Sequence, residues 1–110
     1  METQTRPVII SDIAINSLDQ IYKYGVETFA YNAATLFIDE LYQRIFQLST
    51  DYFLYPECHF LVTKTNIYRN LIHGNYLVIY RITAKKIEVL NILHCSRSPA
   101  KIKASKTIKT

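Results

Sequence analysis

The sequence contains little of what makes a chain irregular. Of its 110 residues, two are glycine, three are proline and none is tryptophan. So few glycines and prolines exclude a fibrous or loop-rich protein. Hydrophobic residues make up 49% of the chain, which excludes a disordered polypeptide and suffices to fill a core. A chain of this length fits one domain, and we therefore expect a single folded unit.

Cysteine is also scarce, because Cys58 and Cys95 can form one disulfide at most. No CxxC or HxxxH spacing brings metal ligands together, so we expect neither a metal nor another cofactor. The first ten residues, METQTRPVII, lack the long apolar run of a signal peptide or a membrane helix. These absences predict a cytoplasmic protein with reduced thiols and no membrane partner.

Acidic residues are almost missing from the second half of the chain. Residues 1–57 hold eight acids and three bases, a net charge of −5, whereas residues 58–110 hold ten bases and a single acid, Glu88, a net charge of +9. Such an asymmetry favours an anionic partner, either a nucleic acid or an acidic protein segment. For Lys85, Lys86 and the lysines of the C-terminal tail, a well-solvated surface is the simpler interpretation.

The first half of the chain predicts a short strand and two helices. Residues 7–11, PVIIS, are a β-rich run after a proline, and a helical period begins at Ser11 or Asp12. A second helix is predicted by an apolar stripe at spacings of three and four residues: Ala34, Phe37, Leu41, Ile45 and Leu48. We place the bend of this helical hairpin at Gly25 and the YNAA segment, residues 31–34.

The second half predicts three strands joined by short turns. Residues 67–72, 76–83 and 87–94 are rich in β-branched and aromatic side chains, and a His-Gly-Asn turn separates the first two strands. Connections this short force antiparallel neighbours. Residues 49–59 interrupt the pattern as a loop.

The order of these elements indicates an α+β fold, with a strand, a helical hairpin and a three-stranded antiparallel meander. The hairpin should pack on one face of the sheet and leave the other face partly free for function. We place a single domain at residues 1–99 and a basic tail at residues 100–110.

Four basic residues interrupt or end the apolar strands: Arg69, Arg81, His94 and Arg97. An unpaired charge within a strand is costly. Arginine presents a planar fork that suits phosphate or carboxylate, and histidine titrates near neutral pH. Because short turns join the strands, three such side chains can converge in space, and we take all four residues as candidates for binding a target or an antitoxin. Each also has an ordinary alternative, such as a solvent-facing arginine for Arg81 or a half-buried histidine for His94.

The spacing of these residues follows a known pattern. Tyr68-Arg69 lies in one strand, Tyr76 to Ile82 form the next, and the last strand ends in His94-x-x-Arg97. This order resembles the C-terminal half of the ParE/RelE toxin superfamily, and the preceding strand and hairpin extend the resemblance to about residues 7–99. The resemblance implies the toxin of a bacterial type II toxin–antitoxin pair. Its partner would be a small antitoxin whose acidic and apolar C-terminal segment wraps the toxin, with a helix or strand in the apolar grooves beside the helical hairpin.

Two activities follow from the resemblance. ParE-like members poison DNA gyrase without catalytic residues, and the H-x-x-R ending favours that branch. RelE-like members cleave mRNA on the ribosome, and His94 would then be the base or acid, with Arg69 and Arg97 as phosphate clamps. No tyrosine follows Tyr80, and a complete acid–base pair of the RelE-like kind is not visible. A non-toxic nucleic-acid-binding module and an inactive toxin that only binds an antitoxin are the alternatives.

Overall fold

The computed structural model describes residues 4–97 and 99–110. Its elements are β1 (Val8–Ile10), α1 (Asp12–Thr28), α2 (Tyr31–Asp51), β2 (Tyr68–His73), β3 (Tyr76–Ile82), β4 (Ile87–His94), α3 (Pro99–Ala104) and a 3-10 turn (Ser105–Thr107). The four strands form one sheet in the order β1-β4-β3-β2. The predicted α+β class and its element order, with the antiparallel meander, are confirmed.

The strand β4 lies inside the sheet, between β1 and β3. It runs antiparallel to β3, as the short turn requires, and parallel to β1, with Val8 opposite Ile87. A parallel pair needs a long crossover, and the helical hairpin and the rest of the meander supply it. Within the β3–β4 pair, Ile79 lies opposite Asn91 and Tyr80 opposite Val89. The intervening residue of β4 therefore forms a bulge, which bends the strand locally.

The helical hairpin packs on one face of the sheet through the stripe predicted for α2. Its buried residues are Ala34, Leu41, Ile45 and Leu48. Most of them join one core cluster with Leu18 of α1 and with the sheet. Each buried leucine or isoleucine contributes about 1.5–3 kcal/mol of transfer free energy. Within this core, the Tyr80 hydroxyl donates to the Tyr52 carbonyl at 2.7 Å, so its burial leaves no unpaired donor.

The bend of the hairpin lies at Phe29 and Ala30, and the predicted position was wrong. The YNAA segment forms the first turn of α2, and Gly25 lies within α1. Gly25 permits close packing of the helices instead, because a Cβ there would lie 3.1 Å from the Ala34 Cβ. Ala30 has φ 151°, a conformation that residues other than glycine adopt at a cost of about 1–3 kcal/mol.

The second face of the sheet is also covered, which corrects the expectation that it is partly free. A second cluster packs Ile79 and Leu90 of the sheet against Cys58 of the loop that precedes β2 and against Ile102 of α3. The basic segment after residue 99 therefore folds onto this face. Its lysines are exposed, whereas Ile102 and Ser105 are buried.

No helix within the described ranges has the length and apolar character needed to cross a membrane. In the same part of the chain, no group of three or more histidine, cysteine or acidic side chains is placed to hold a metal ion. Both cysteines are free thiols, and burial raises the pKa of Cys58.

Candidate functional site

The structure divides the four predicted site residues between opposite ends of the sheet. Arg69 lies opposite Tyr80 of β3, whereas His94 lies opposite Tyr76 at the other end of that strand. Arg81 follows Tyr80, five residues from Tyr76, or about 17 Å along the strand. Arg69 and Arg81 therefore lie at one end of the sheet and His94 and Arg97 at the other, so the structure brings together two of these basic residues at the end of β4 and not three.

Arg69 fastens the loop that precedes β2 to the edge of the sheet. Its Nη1 donates to the carbonyls of Phe53 at 3.1 Å and Tyr55 at 2.9 Å, and its Nε donates to Asn66 at 3.1 Å. The guanidinium also lies 5.5 Å from the centre of the Phe53 ring. Three of its five N–H groups are thus bonded to backbone carbonyls, which makes Arg69 a structural clamp.

Arg81 forms a shielded ion pair with the only acid of the second half of the chain. Its Nε donates to Glu88 at 2.8 Å, and the two side chains are 22% and 7% exposed. Lys86 lies 3.6 Å from the same carboxylate, and the Thr110 hydroxyl donates to it. The hydrogen bond from Arg81 outweighs burial and lowers the pKa of Glu88 to about 2. The alternative of a solvent-facing Arg81 is wrong.

An open groove of about 1060 Å³ lies at the His94 end of the sheet, between the helical hairpin and the end of β4. We call it the hairpin groove. Its apolar and aromatic lining includes Ile21, Tyr24, Phe29, Phe37 and Tyr76. Its basic lining consists of His94, Arg97 and Lys101. The described residues that line the groove include no acid, so the groove is positively charged and suits an anionic ligand with apolar groups.

Three rings form a row along one side of the hairpin groove. Ring centres lie 6.0 Å apart between Phe37 and Tyr76 and 5.5 Å apart between Tyr76 and His94. The turn before β3 rests on the first ring, because a Cβ on Gly74 would lie 3.1 Å from Phe37. With φ +58°, Gly74 also holds a left-handed conformation that favours glycine.

His94 is held in one orientation at the end of this row. The backbone N–H of Ser96 donates to its Nδ1 at 3.1 Å, and the Ser96 hydroxyl lies 2.7 Å from the same nitrogen. A neutral ring that accepts at Nδ1 carries its proton on Nε2. The Arg97 N–H donates to the His94 carbonyl at 2.9 Å, which keeps the H-x-x-R ending compact.

His73, at the end of β2, connects the strand to α2. Arg44 donates from Nη1 to the Ile72 carbonyl at 2.9 Å and to Nδ1 of His73 at 3.2 Å. Burial, together with the positive charge of Arg44, lowers the pKa of His73. The ring also lies 4.9 Å from Phe37. A neutral His73 therefore fixes the β2–β3 turn that borders the hairpin groove.

The sequence predicted the basic end of the groove and, through the resemblance, apolar grooves beside the helical hairpin, but it did not single out Phe29 or Lys101. The strand pattern singled out His94 and Arg97, whereas Phe29 was not considered. Tyr24 was interpreted as a core or helix-interface residue, but it is 57% exposed and lines the groove. The sequence contained one signal, a large apolar side chain, Phe29, beside the predicted bend, and in the structure this side chain is 71% exposed. Phe29 and Tyr24 both expose apolar surface to the groove, and such a shared apolar surface is typical of an interaction site.

The comparisons with known proteins agree with this fold. Residues 8–99 match the family described as "ParE toxin of type II toxin-antitoxin system, parDE". Since the match covers most of the chain, the protein belongs to the ParE toxin family. Membership implies that its partner is an antitoxin.

A solved structure entitled "Chromosomal ParDE TA system from P. aeruginosa" contains a similar chain. The TM-score is 0.68 at 16% sequence identity, with 84% of this chain and 98% of that chain covered. At a sequence identity this low, the similarity shows that the two chains share a fold and nothing about function. A comparison with curated proteins found no match.

The clamp predicts unequal effects for two of the arginines. Arg69→Gln removes the bonds to three carbonyls and should lower the free energy of unfolding by about 2–3 kcal/mol. The matched variant Arg97→Gln changes an exposed side chain and should cost less than about 0.5 kcal/mol. Urea unfolding followed by circular dichroism measures both. Equal losses would contradict the structural role of Arg69.

The pair of Arg81 with Glu88 predicts a pH dependence. Because folding lowers the pKa of Glu88 from 4.5 to about 2, ionised Glu88 stabilises the fold above pH 4.5. This stabilisation, about 3 kcal/mol, is lost as the pH falls through 2. In urea unfolding between pH 7 and pH 2, Glu88→Gln should have a lower free energy of unfolding than the unmodified protein at pH 7. On acidification, the free energy of unfolding of this variant should fall by less than that of the unmodified protein. Asp39→Asn, on an exposed part of α2, is the control and should follow the unmodified protein. Parallel profiles for Glu88→Gln and the unmodified protein would refute the account.

Proposed function

We propose that this toxin arrests bacterial growth by poisoning DNA gyrase in the cytoplasm, and that an antitoxin neutralises it by binding in the hairpin groove. The observation that supports a non-catalytic toxin is the separation of Arg69 from His94 and Arg97. Catalytic cleavage of RNA needs a base, an acid and cations that meet at one phosphate. Arg69 lies at the opposite end of the sheet, where backbone carbonyls occupy its donors.

The hairpin groove supports the antitoxin part of the proposal. Its aromatic wall offers apolar surface to a helix or an extended strand. Arg97 and Lys101 at its rim suit the carboxylates of an acidic segment, because opposite charges steer association and fix register. An antitoxin segment with acidic and apolar residues matches both features.

Cleavage of mRNA on the ribosome is the second candidate. It is favoured by His94, which is exposed and whose Nδ1 is bonded to Ser96. The opposite nitrogen could then exchange a proton with a nucleotide, with Arg97 close by as the cation. This candidate assigns the reaction to two residues and gives Arg69 no part.

Reconstituted reactions distinguish the two candidates. Purified toxin, incubated with gyrase and supercoiled plasmid, should produce protein-linked double-strand breaks, and His94→Ala should leave that activity unchanged. Ribosomes translating a defined mRNA in the presence of the toxin should yield intact message. Cleaved message that requires His94 and Arg97, with no gyrase-dependent breaks, would make the toxin a ribonuclease and the proposal wrong.

The groove gives a specific expectation for antitoxin binding. Reversing two charges with Arg97→Glu and Lys101→Glu should weaken binding at least tenfold, or about 1.4 kcal/mol, because the acidic segment then meets like charges. Lys64→Glu with Lys85→Glu makes the same change in net charge at exposed positions outside the groove. Isothermal titration with the antitoxin encoded beside the toxin measures both. Equal weakening by the two double variants would place the antitoxin elsewhere.

A further inference from the structure

The C-terminal segment carries exposed cations along the whole length of β4. α3 begins beyond the end of β4, and the chain then runs back to the first residues of that strand. There the Thr110 hydroxyl donates to Glu88 and lies 3.4 Å from the Lys86 Nζ. Ile102 and Ile108 pack on the sheet. We define the basic ridge by its exposed residues: Lys85, Arg97, Lys101, Lys103, Lys106 and Lys109. The eight residues of β4 make it about 26 Å long.

The charges of the basic ridge have no acidic partners among the described residues. Across residues 4–97 and 99–110, the basic members of ion pairs are Lys23, Arg81 and Lys86, and none of these belongs to the ridge. The only acid of residues 58–110 is Glu88, and it is buried beneath the segment and paired with Arg81. The charged side chains that this segment exposes are therefore all positive, and its packed isoleucines hold the lysines on a folded support.

We propose that the basic ridge binds the phosphate backbone of duplex DNA. A ridge of about 26 Å spans seven to eight base pairs of duplex DNA at about 3.4 Å per pair. Each strand of the duplex carries one phosphate for every base pair. Single-stranded nucleic acid is bound by aromatic side chains on which the bases stack, and residues 97–110 contain no aromatic residue. The chemistry thus favours the backbone of a duplex over unpaired RNA.

This inference rests on the proposed function, because gyrase holds the duplex that it cleaves. A toxin that contacts both the enzyme and its DNA is positioned where the broken strands would be rejoined. The ridge lies on the second face of the sheet, apart from the helical wall of the hairpin groove, and only Arg97 and Lys101 line both. Variants of Lys103 and Lys106 therefore test the ridge without altering residues of the groove.

Fluorescence anisotropy tests the inference with the full-length toxin and a labelled 20-base-pair duplex at several salt concentrations. The logarithm of the affinity should fall linearly with the logarithm of the salt concentration. Lys103→Gln with Lys106→Gln should weaken binding at least tenfold at low salt and reduce the slope by about 2, because each neutralised phosphate adds about 0.9 to the slope. The control, Lys23→Gln with Lys64→Gln, makes the same charge change outside the ridge and should leave the slope unchanged. Circular dichroism verifies that each variant is folded.

Three results would overturn the inference. The first is absence of salt-dependent binding to the duplex, and the second is equal weakening by the two double variants. The third is tighter binding of single-stranded RNA or of a polyglutamate peptide than of the duplex, which would assign the ridge to another partner. The gyrase assay tests the proposed function independently of this inference. Duplex binding without gyrase-dependent breaks refutes the gyrase proposal alone, whereas breaks without duplex binding refute the role of the ridge.

Discussion

Burial of β4 on both faces is the constraint on which the rest of the structure depends. Val89 and Leu90 are both fully buried, yet they belong to different clusters, one under the helical hairpin and one under the C-terminal segment. A strand that is apolar on both faces must be covered on both. The hairpin groove opens where β4 ends, because beyond His94 the hairpin and the C-terminal segment no longer have a strand between them.

The elements of the fold were predictable where the signal is local. The stripe of α2 and the short turn at Gly74 depend on spacings within a few residues. The position of the bend could not be predicted, because no sequence pattern indicates the strained φ of Ala30. The parallel pairing of β1 with β4 could not be predicted either, because the paired residues lie almost eighty positions apart. The C-terminal segment covers the second face through Ile102 and Ile108, beside the loop that precedes β2. These two isoleucines stand alone among lysines, so the sequence shows no apolar periodicity that would indicate a packed segment.

The candidate site was predicted in part for the same reason. His94 and Arg97 lie close in sequence and remain close in space, so the pattern at the end of β4 was informative. The partners of Arg69 are the backbone carbonyls of Phe53, Tyr55 and Asn66, which any sequence can supply and which therefore leave no sequence signal. A basic residue in a strand can be assigned a role only when its hydrogen-bond partners are known, and here those partners identify Arg69 as a clamp.

The central claim is that the partner of this toxin binds at the His94 end of the sheet. Hydrogen–deuterium exchange of the toxin, alone and with its antitoxin, tests this most directly. If the antitoxin binds there, we expect new protection in residues 20–37, 74–76 and 92–101, with no change in residues 53–69. Protection confined to residues 53–69, with the hairpin groove unaffected, would contradict it.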